Sequence, residues 1–454
     1  MEKHLIIGAS DAGISAALRI KEIRPDSAVK VIDADYYPNF SICGLPFLIS
    51  SEVSDWRKLA HRTIPEIEKN GIQLLLGKKI KFINPQKRII AYAEQNGAFS
   101  ELIYDRLLLA TGGISLIPQI KGVENEGVFF LRWIGDGLKI QKYLSQHQVK
   151  SAAVIGGGYI GMEMADALVK RGIQVTVLEY APSVLTTLDA ELASYIKKEL
   201  EKNDVIVKTH HEVKEIIRSN NGLFIINKRG ENLSADLVIV AAGVKPNISI
   251  AATAGVALGI SGAINVDRQM KTNLPDIYAA GDCAETWHRI VRKNVYLPLG
   301  STSHKQGRIA GENMAGGDAG YEGSLGTQVV AVFNAVAAKT GLRETEAASA
   351  GFMPATAQCA AWDHKVYYPD ARQIIIRITG DRQTGKLLGA QMVGHRSSQV
   401  AKRIDVLAAA LYHGMKVADI DKLDLSYTPP LSTPWDPVQM AAHAWVKEYC
   451  SNSL

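Results

Sequence analysis

The 454-residue chain has few cysteines, no long apolar run and no block of like charge. Its four cysteines, Cys43, Cys283, Cys359 and Cys450, show neither a disulfide framework nor a metal-ligand spacing. We therefore expect no metal site and reduced thiols in the cytoplasm. No apolar stretch approaches the ~18–20 residues that cross a membrane, so no membrane association is expected. The small net charge of +5 gives no support to nucleic-acid binding.

Two glycine-rich turns of the same kind are present, and each follows an apolar run and precedes a helix-like segment. Their candidate binding residues are Gly8, Ser10, Asp11 and Gly13 in the first turn, and Gly156, Gly158, Tyr159, Ile160 and Gly161 in the second. The next apolar run ends in an acid in each case, Asp33 and Glu179. Glycines let the backbone approach a pyrophosphate, the helix N-terminus offers free N–H groups, and the acid accepts ribose hydroxyls. Two dinucleotide-binding units are predicted, with electrons passing between them.

Three further apolar runs predict buried strands that end in small-residue turns. They are 104–113, with Ala110, Thr111 and Gly112; 235–247, with Gly243; and 272–285, with Gly281 and Asp282. In this order the segments resemble the pyridine nucleotide-disulfide oxidoreductase family over essentially the whole chain. The resemblance implies FAD on the first turn, with Asp33 at its adenosine ribose and Asp282 near its ribityl-phosphate region. It also implies NAD(P)H on the second turn, with Glu163 near the nicotinamide.

The implied fold class is α/β, with two Rossmann-like dinucleotide-binding domains and a C-terminal mixed α/β dimerisation domain. The FAD domain would comprise residues 1–112 and 244–322, the NAD(P)H domain 113–243, and the dimerisation domain of a homodimer 323–454. NADH is favoured over NADPH because the Glu179 carboxylate would repel a 2′-phosphate. The residues that follow, Tyr180, Ala181 and Pro182, supply no arginine to bind that phosphate.

Cys43 lies just after the first βαβ unit, in the segment F-S-I-C-G-L-P-F. Members of the glutathione reductase type carry a second cysteine five positions on, where this chain has Leu48. A single thiol cannot close an internal disulfide, so it would cycle through a mixed disulfide, a persulfide or a sulfenic acid. The segment predicts the opening of a helix, whose N-terminus lowers a thiol pKa. Cys43 is therefore the predicted redox-active cysteine, and the other three are predicted to be inert.

The branch of the family is indicated by the first glycine turn and the C-terminal segment. NADH oxidases and peroxidases carry a histidine where this chain has Asp11, and a carboxylate cannot supply an imidazolium. The segment with Tyr427, two prolines and Trp-Asp-Pro at 435–437 is similar to the tail of coenzyme A-disulfide reductases. That resemblance implies that Tyr427 reaches the cysteine of the partner subunit. A second tyrosine would come from the Tyr367–Tyr368 pair, and Tyr367 is preferred.

The sequence thus predicts FAD-dependent, NAD(P)H-driven reduction of a small disulfide or persulfide, such as coenzyme A disulfide, coenzyme A persulfide or polysulfide. Coenzyme A would bind at Cys43, with Ser41, Arg19 and Arg62 as candidate contacts. An NADH oxidase that reduces oxygen at the flavin, or through a cysteine sulfenic acid, is the main alternative. A reductase of a small redox protein and a non-catalytic FAD-binding module are two others.

Overall fold

The computed structural model describes residues 1–94, 98–220 and 222–450, and it begins with alternating strands and helices. The elements of this first part are β1 (Lys3–Ile7), α1 (Asp11–Ile23), β2 (Ala28–Ile32), α2 (Leu45–Ile49), α3 (Ile64–Lys69), β3 (Ile72–Leu75), β4 (Lys79–Asn84), β5 (Ile89–Ala93), β6 (Phe99–Ile103) and β7 (Arg106–Leu109). Strands β4, β5 and β6 pair antiparallel, whereas β1 lies parallel between β2 and β7. The apolar strands β1 and β7 are buried in a core that also includes Ile83 of β4 and Ile90 of β5.

The middle of the chain repeats the same alternation. Its elements are β8 (Gly113–Ser115), β9 (Val128–Phe130), α4 (Ile134–Gln146), β10 (Ser151–Ile155), α5 (Tyr159–Lys170), β11 (Gln174–Leu178), α6 (Ala190–Lys202), β12 (Ile206–Lys208), β13 (Val213–Ser219), β14 (Gly222–Asn227), β15 (Asn232–Ala235), β16 (Leu237–Val240) and β17 (Val244–Pro246). A parallel sheet forms in the order β12-β11-β10-β16-β9. Strands β8 and β17 pair antiparallel, so one ribbon carries the chain into this unit and out of it.

The chain then returns to its first sheet. The elements here are α7 (Ser249–Thr253), β18 (Ile277–Ala279), β19 (Thr286–His288), β20 (Lys293–Val295) and α8 (Gly300–Met314). Strand β18 pairs with β7 and completes the order β18-β7-β1-β2-β3. The first unit is therefore built from two separate stretches of sequence, and α8 packs along α1 at its centre.

The C-terminal part is an antiparallel sheet covered by helices. Its elements are β21 (Gln328–Val332), β22 (Ala335–Gly341), α9 (Glu344–Ser349), β23 (Pro354–Trp362), β24 (Gln373–Asp381), β25 (Leu387–His395), α10 (Val400–Tyr412), α11 (Val417–Ile420) and α12 (Pro437–Tyr449). The strand order is β21-β22-β25-β24-β23. Asp436 caps α12 by accepting from Val438 N at 2.9 Å, and it also accepts from the buried Arg403 at 3.2 Å. The Trp-Asp-Pro segment is therefore a structural anchor.

The predicted fold class is confirmed, with two differences in local structure. Helix α1 begins at Asp11, so Asp11 belongs to the helix rather than to the turn in which the sequence placed it. The helix predicted to open at Cys43 is a 3₁₀ turn, Ile42–Gly44, followed by the five-residue helix α2. Among the described residues, no helix is both long enough and apolar enough to cross a membrane.

Candidate active site

The two glycine turns have the same backbone geometry. Gly8 and Gly156 have φ angles of +113° and +112°, which residues other than glycine rarely adopt. A Cβ atom on Gly8 would overlap the carbonyl oxygen of Ala110, and one on Gly156 would overlap that of Ala241. Each turn therefore lies directly against the end of the neighbouring strand, which only glycine permits.

The next glycine of each motif brings a helix close to its turn. A Cβ atom on Gly13 would overlap the Gly8 carbonyl, and one on Gly161 would overlap the Gly156 carbonyl. The N-termini of α1 and α5 are consequently held against the two turns, where free N–H groups and the helix dipole favour a phosphate. The predicted contact residues at these two N-termini are Ser10, Asp11, Gly158, Tyr159 and Ile160.

The acid at the end of each second strand ties its glycine turn in place. Asp33 accepts a hydrogen bond from Ala9 N, and Glu179 accepts one from Gly157 N, both at 2.5 Å. Each acid also accepts from the N–H two positions further on, at 2.8 and 2.7 Å. Burial raises the pKa of Asp33, and Glu179 is only 6% exposed. Because a carboxylate oxygen has two lone pairs, both acids can still accept ribose hydroxyls.

A cavity of about 500 Å³ lies beside the first turn and receives residues from both stretches of the first unit. Its lining includes Gly8, Ser10, Asp33, Lys78, Ala110, Thr111, Trp133 and Asn247. Thr111 Oγ1 donates to the Asn247 carbonyl at 2.6 Å, and Asn247 N donates to the Gly112 carbonyl at 2.9 Å. Gly243, with φ of +116°, lies at the other end of the β8–β17 ribbon. Glycines that admit a close backbone, a helix N-terminus and a strand-end acid fit the adenosine diphosphate half of FAD.

Cys43 lies where both dinucleotide-binding units meet. Partial burial is the largest influence on its thiol and raises the pKa, and the carboxylates of Glu163, Asp11 and Asp282 raise it further. The guanidinium of Arg132 acts in the opposite direction. The prediction that a helix N-terminus lowers this pKa is therefore wrong for the chain's own groups. A short 3₁₀ turn contributes little dipole, and nearby negative charge disfavours a thiolate.

Two side chains hold the Asp282 carboxylate. Ser303 lies near the start of α8, and Arg132 follows the end of β9. Asp282 Oδ2 lies 2.5 Å from Arg132 Nη2, and its Oδ1 accepts from Ser303 Oγ at 3.0 Å. The preceding Gly281 N donates to Gln306 Oε1 at 2.9 Å. Arg132 was not among the predicted site residues, although it is a cation two positions after the apolar strand β9. The ion pair fixes the orientation of the Asp282 carboxylate, which acts electrostatically on Cys43.

Glu163 brings the second unit to the same thiol. It lies in α5, and burial together with Asp166 raises its pKa to about 7. This pKa lies well above that of an ordinary glutamate. Perturbed carboxyls in clefts are characteristic of functional sites.

Two histidines that the sequence analysis missed lie beside Asp11. His304 Nε2 is 3.4 Å from Asp11 Oδ1, and the rings of His61 and His304 are 6.1 Å apart. Asp11 lies in α1, His61 in the loop that precedes α3, and His304 in α8. No local sequence pattern therefore predicts that they meet. The fold therefore brings two imidazoles close to the carboxylate at position 11.

The predicted coenzyme A contacts have different environments. Arg19 is paired with Glu22 and Glu312, both at 2.7 Å, so its charge is already balanced. Arg62 is exposed, and its charge helps to lower the pKa of Glu66. Ser41 precedes the 3₁₀ turn of Cys43, and its N–H donates to the Leu59 carbonyl at 2.8 Å.

The candidate tyrosines lie together on the C-terminal unit. Desolvation, followed by a side-chain hydrogen bond with Tyr427, raises the pKa of Tyr367. Lys365 N donates to the Pro429 carbonyl at 3.2 Å and joins the two loops. Tyr368 instead contacts the ring of His364, with centroids 5.8 Å apart. Tyr367 and Tyr427 are both exposed and available to another surface.

Comparisons with known proteins agree with this architecture. The pattern described as pyridine nucleotide-disulphide oxidoreductase matches residues 2–307, and that of the dimerisation domain of the same proteins matches residues 327–437. The chain belongs to the pyridine nucleotide-disulphide oxidoreductase family and is an oxidoreductase of that kind. Membership implies FAD and NAD(P)H as cofactors.

Individual relatives cover nearly the whole chain. An NAD(P)H sulfur oxidoreductase (CoA-dependent) of Pyrococcus furiosus is 36% identical over 97% of this chain and 98% of its own length. An NADH oxidase of Methanocaldococcus jannaschii is 31% identical over 98% of both chains. The structure of an NAD-dependent persulfide reductase from A. fulgidus superposes with a TM-score of 0.95 at 34% identity, covering 99% of this chain and 84% of that one.

Proposed function

We propose that this protein uses NAD(P)H and FAD to reduce a small disulfide or persulfide at Cys43. The observation that carries the proposal is the position of this single thiol between the two dinucleotide-binding units. Glu163 of the second unit and Asp282 of the first both act electrostatically on it. Leu48 occupies the position of a second cysteine and is fully buried, so no internal disulfide forms there. The electron acceptor must therefore bring its own sulfur to the thiol.

The chain's residues hold and shield the reacting groups. Bound FAD supplies two-electron transfer between nicotinamide and sulfur. The turns at Gly8 and Gly156 would bind the two pyrophosphates, and Arg132 holds the Asp282 carboxylate in place by an ion pair. The Cys43 thiolate attacks the acceptor sulfur and releases one thiol or hydrosulfide, forming a mixed disulfide or persulfide on the enzyme. Two electrons then regenerate the thiolate and release the second sulfur product.

NADH is the proposed electron donor, and coenzyme A is part of the proposed acceptor. The buried Glu179 carboxylate lies at the ribose end of the second turn, where it disfavours a 2′-phosphate. The P. furiosus relative carries coenzyme A dependence in its name. The exposed Arg62 is a better phosphate contact than Arg19, whose guanidinium is paired with two glutamates.

A homodimer with Tyr427 and Tyr367 at the partner's thiol completes the proposal. Apolar side chains around these tyrosines are exposed in the single chain, including Val366, Leu431 and Trp435 at 56–62%. Such a patch is typical of an interface, and it lies within or next to the match to the dimerisation domain. A cytoplasmic location is proposed as well, because all four cysteines are free.

The decisive experiment compares Cys43→Ser with the control Cys359→Ser. NADH turnover with coenzyme A disulfide or polysulfide is expected to fall roughly a thousandfold or more in Cys43→Ser, because the nucleophile is lost. The control should retain parental turnover, and both variants should retain bound FAD by absorbance. Mass spectrometry of the oxidised parent should find a coenzyme A or persulfide adduct on Cys43. Full sulfur-dependent turnover in Cys43→Ser would refute the proposal.

NADH oxidase activity is a second candidate, and the histidines beside Asp11 favour it. His304 and His61 supply the imidazoles that the first glycine turn lacks. Oxygen consumption with NADH alone, unchanged in Cys43→Ser, would indicate oxygen reduction at the flavin. Oxygen consumption that depends on Cys43, with a sulfenic acid on that residue, would indicate the thiol-dependent oxidase route.

A further inference from the structure

The group formed by Asp11, His61 and His304 has the composition of a metal site. One carboxylate oxygen and two imidazole nitrogens lie within 4.8 Å of one another. A tetrahedral ion bound at 2.0–2.1 Å needs ligand atoms about 3.4 Å apart, so small side-chain rotations suffice. The pair His304 Nε2 and Asp11 Oδ1 already has this spacing, at 3.4 Å.

The hydrogen bonds around the group leave its ligand atoms free. Asp11 Oδ1 is buried and has no hydrogen-bond partner among the described residues. His304 Nδ1 lies 2.9 Å from Ser15 Oγ. When Nδ1 donates its proton to Ser15, Nε2 keeps its lone pair and directs it toward Asp11. An outer hydrogen bond of this kind is the usual way in which a protein orients a metal-binding histidine.

The local charge also favours a cation. The carboxylates of Asp11, Asp282 and Glu163 act on Cys43, opposed by the single guanidinium of Arg132. The backbone of His61 is tied to the segment that carries the thiol, because its N–H donates to the Asn39 carbonyl at 2.9 Å. An ion bound by the three residues would therefore balance part of this negative charge.

We propose that Asp11, His61 and His304 bind a divalent transition-metal ion of the Zn²⁺ class. Imidazole and carboxylate ligands suit this class. The binding site stands on its own geometry and does not rest on the proposed function.

The test measures Zn²⁺ binding to the chelator-treated, FAD-loaded protein by equilibrium dialysis. About one ion per chain is expected, and His61→Ala and His304→Ala should each weaken its binding at least tenfold. Ser15→Ala should weaken it roughly tenfold to a hundredfold, because it releases the orientation of His304. His61 is exposed, so its variant reports on binding even if His304→Ala does not fold.

The matched control is His443→Ala. His443 Nδ1 lies 3.3 Å from Asp421 Oδ2, a similar histidine–aspartate pair without a third ligand, so its removal should leave binding unchanged. Equal Zn²⁺ affinity in the parent and His61→Ala, or binding lost only in Cys43→Ser, would overturn the proposal. The dialysis readout does not depend on NADH turnover.

Discussion

At the scale of single residues, the candidate active site places a thiol among acids. Glu163, Asp11 and Asp282 all raise the pKa of Cys43, after the larger effect of burial. A nucleophilic thiol needs the opposite influence, so the chain alone keeps Cys43 protonated near neutral pH. The thiol therefore depends on bound cofactor, substrate or pH for its activation, and Glu163 is the carboxylate with the greatest influence on it.

The variant Glu163→Gln should lower the pKa of Cys43, because it removes the largest electrostatic contribution that raises it. The thiol would then be ionised more extensively at pH 8 and react faster with iodoacetamide. The measurement is the pH profile of Cys43 alkylation in the FAD-loaded protein without NADH. Glu101→Gln, at the exposed middle position of β6, is the control and should leave the profile unchanged. An unchanged or higher midpoint in Glu163→Gln would contradict the electrostatic assignment.

The same carboxyl predicts a pH dependence of stability. Its pKa is about 7 in the folded chain against 4.5 without the fold, so the folded state binds more protons between these values. Stability should therefore fall as the pH rises from about 4.5 to 7. The cost is on the order of 2–3 kcal/mol, because one pKa unit corresponds to about 1.4 kcal/mol. In Glu163→Gln this part of the decrease should be absent when urea unfolding is compared at pH 5 and pH 8.

Residues with a local pattern could be predicted, and residues gathered by the fold could not. Cys43 was identified from its place after the first βαβ unit, and Asp33 and Glu179 from their strand ends. His61 and His304 are far apart in sequence and meet only through the packing of α8 on α1. Arg19 was predicted to be a substrate contact, and its pairing could not be foreseen because its partner Glu312 lies in the distant helix α8.

At the scale of elements, the two dinucleotide-binding units share one construction. Each has a glycine turn against a neighbouring strand, a helix packed on that turn and an acid that accepts from the turn's N–H. The repeated pattern made both units predictable, since each feature depends on a residue type at a fixed position. The 3₁₀ turn at Cys43 was mistaken for a longer helix because Pro46 and the apolar residues after it suit a first helical turn equally well.

The contact between α1 and α8 should be especially sensitive to substitution. A Cβ atom on Gly307 would overlap the backbone of Ala12, one residue from Asp11. Gly307→Ala should therefore push the helices apart, destabilise the first unit by roughly 1–3 kcal/mol and weaken FAD retention. Thermal unfolding and flavin release measure both effects.

The control for this prediction is Gly135→Ala in α4. Gly135 has no neighbour within 4 Å of an added Cβ, so the substitution should be neutral or stabilise the protein by up to about 1 kcal/mol. Equal stability of Gly307→Ala and the parent would show that α8 can move away from α1 without loss.

At the scale of the whole molecule, the first unit is assembled around an insertion. Strand β18 returns to β7 after the chain has built the second unit, and Thr111 and Asn247 join the two crossings. The site at Cys43 therefore forms only when α1, α5 and the β18–α8 segment are all in place. The C-terminal unit carries Tyr427 and Tyr367 on an exposed patch.

The cross-subunit role of Tyr427 can be tested with hybrid dimers. Tyr427→Phe alone should lower sulfur-dependent turnover roughly a hundredfold, because a proton donor is lost. Chains carrying Cys43→Ser and Tyr427→Phe are coexpressed with different tags, and the hybrid is purified on both tags. If Tyr427 reaches the partner's thiol, the hybrid contains one intact site and should have about half the parental turnover. If the tyrosine acts within its own chain, every site is defective and turnover stays low.

The reciprocal hybrid pairs the parental chain with a chain that carries both substitutions. A tyrosine acting across the interface leaves the parental Cys43 without its proton donor, because the doubly substituted partner carries Tyr427→Phe, so this hybrid should be nearly inactive. A tyrosine acting within its chain leaves one intact parental site and about half the turnover. The hybrid that is active if Tyr427 acts across the interface is inactive if it acts within its own chain, and the reverse holds for the other hybrid. A general loss of stability would lower the turnover of both hybrids and therefore cannot produce either pattern. High turnover in the reciprocal hybrid together with low turnover in the first would refute the cross-subunit site.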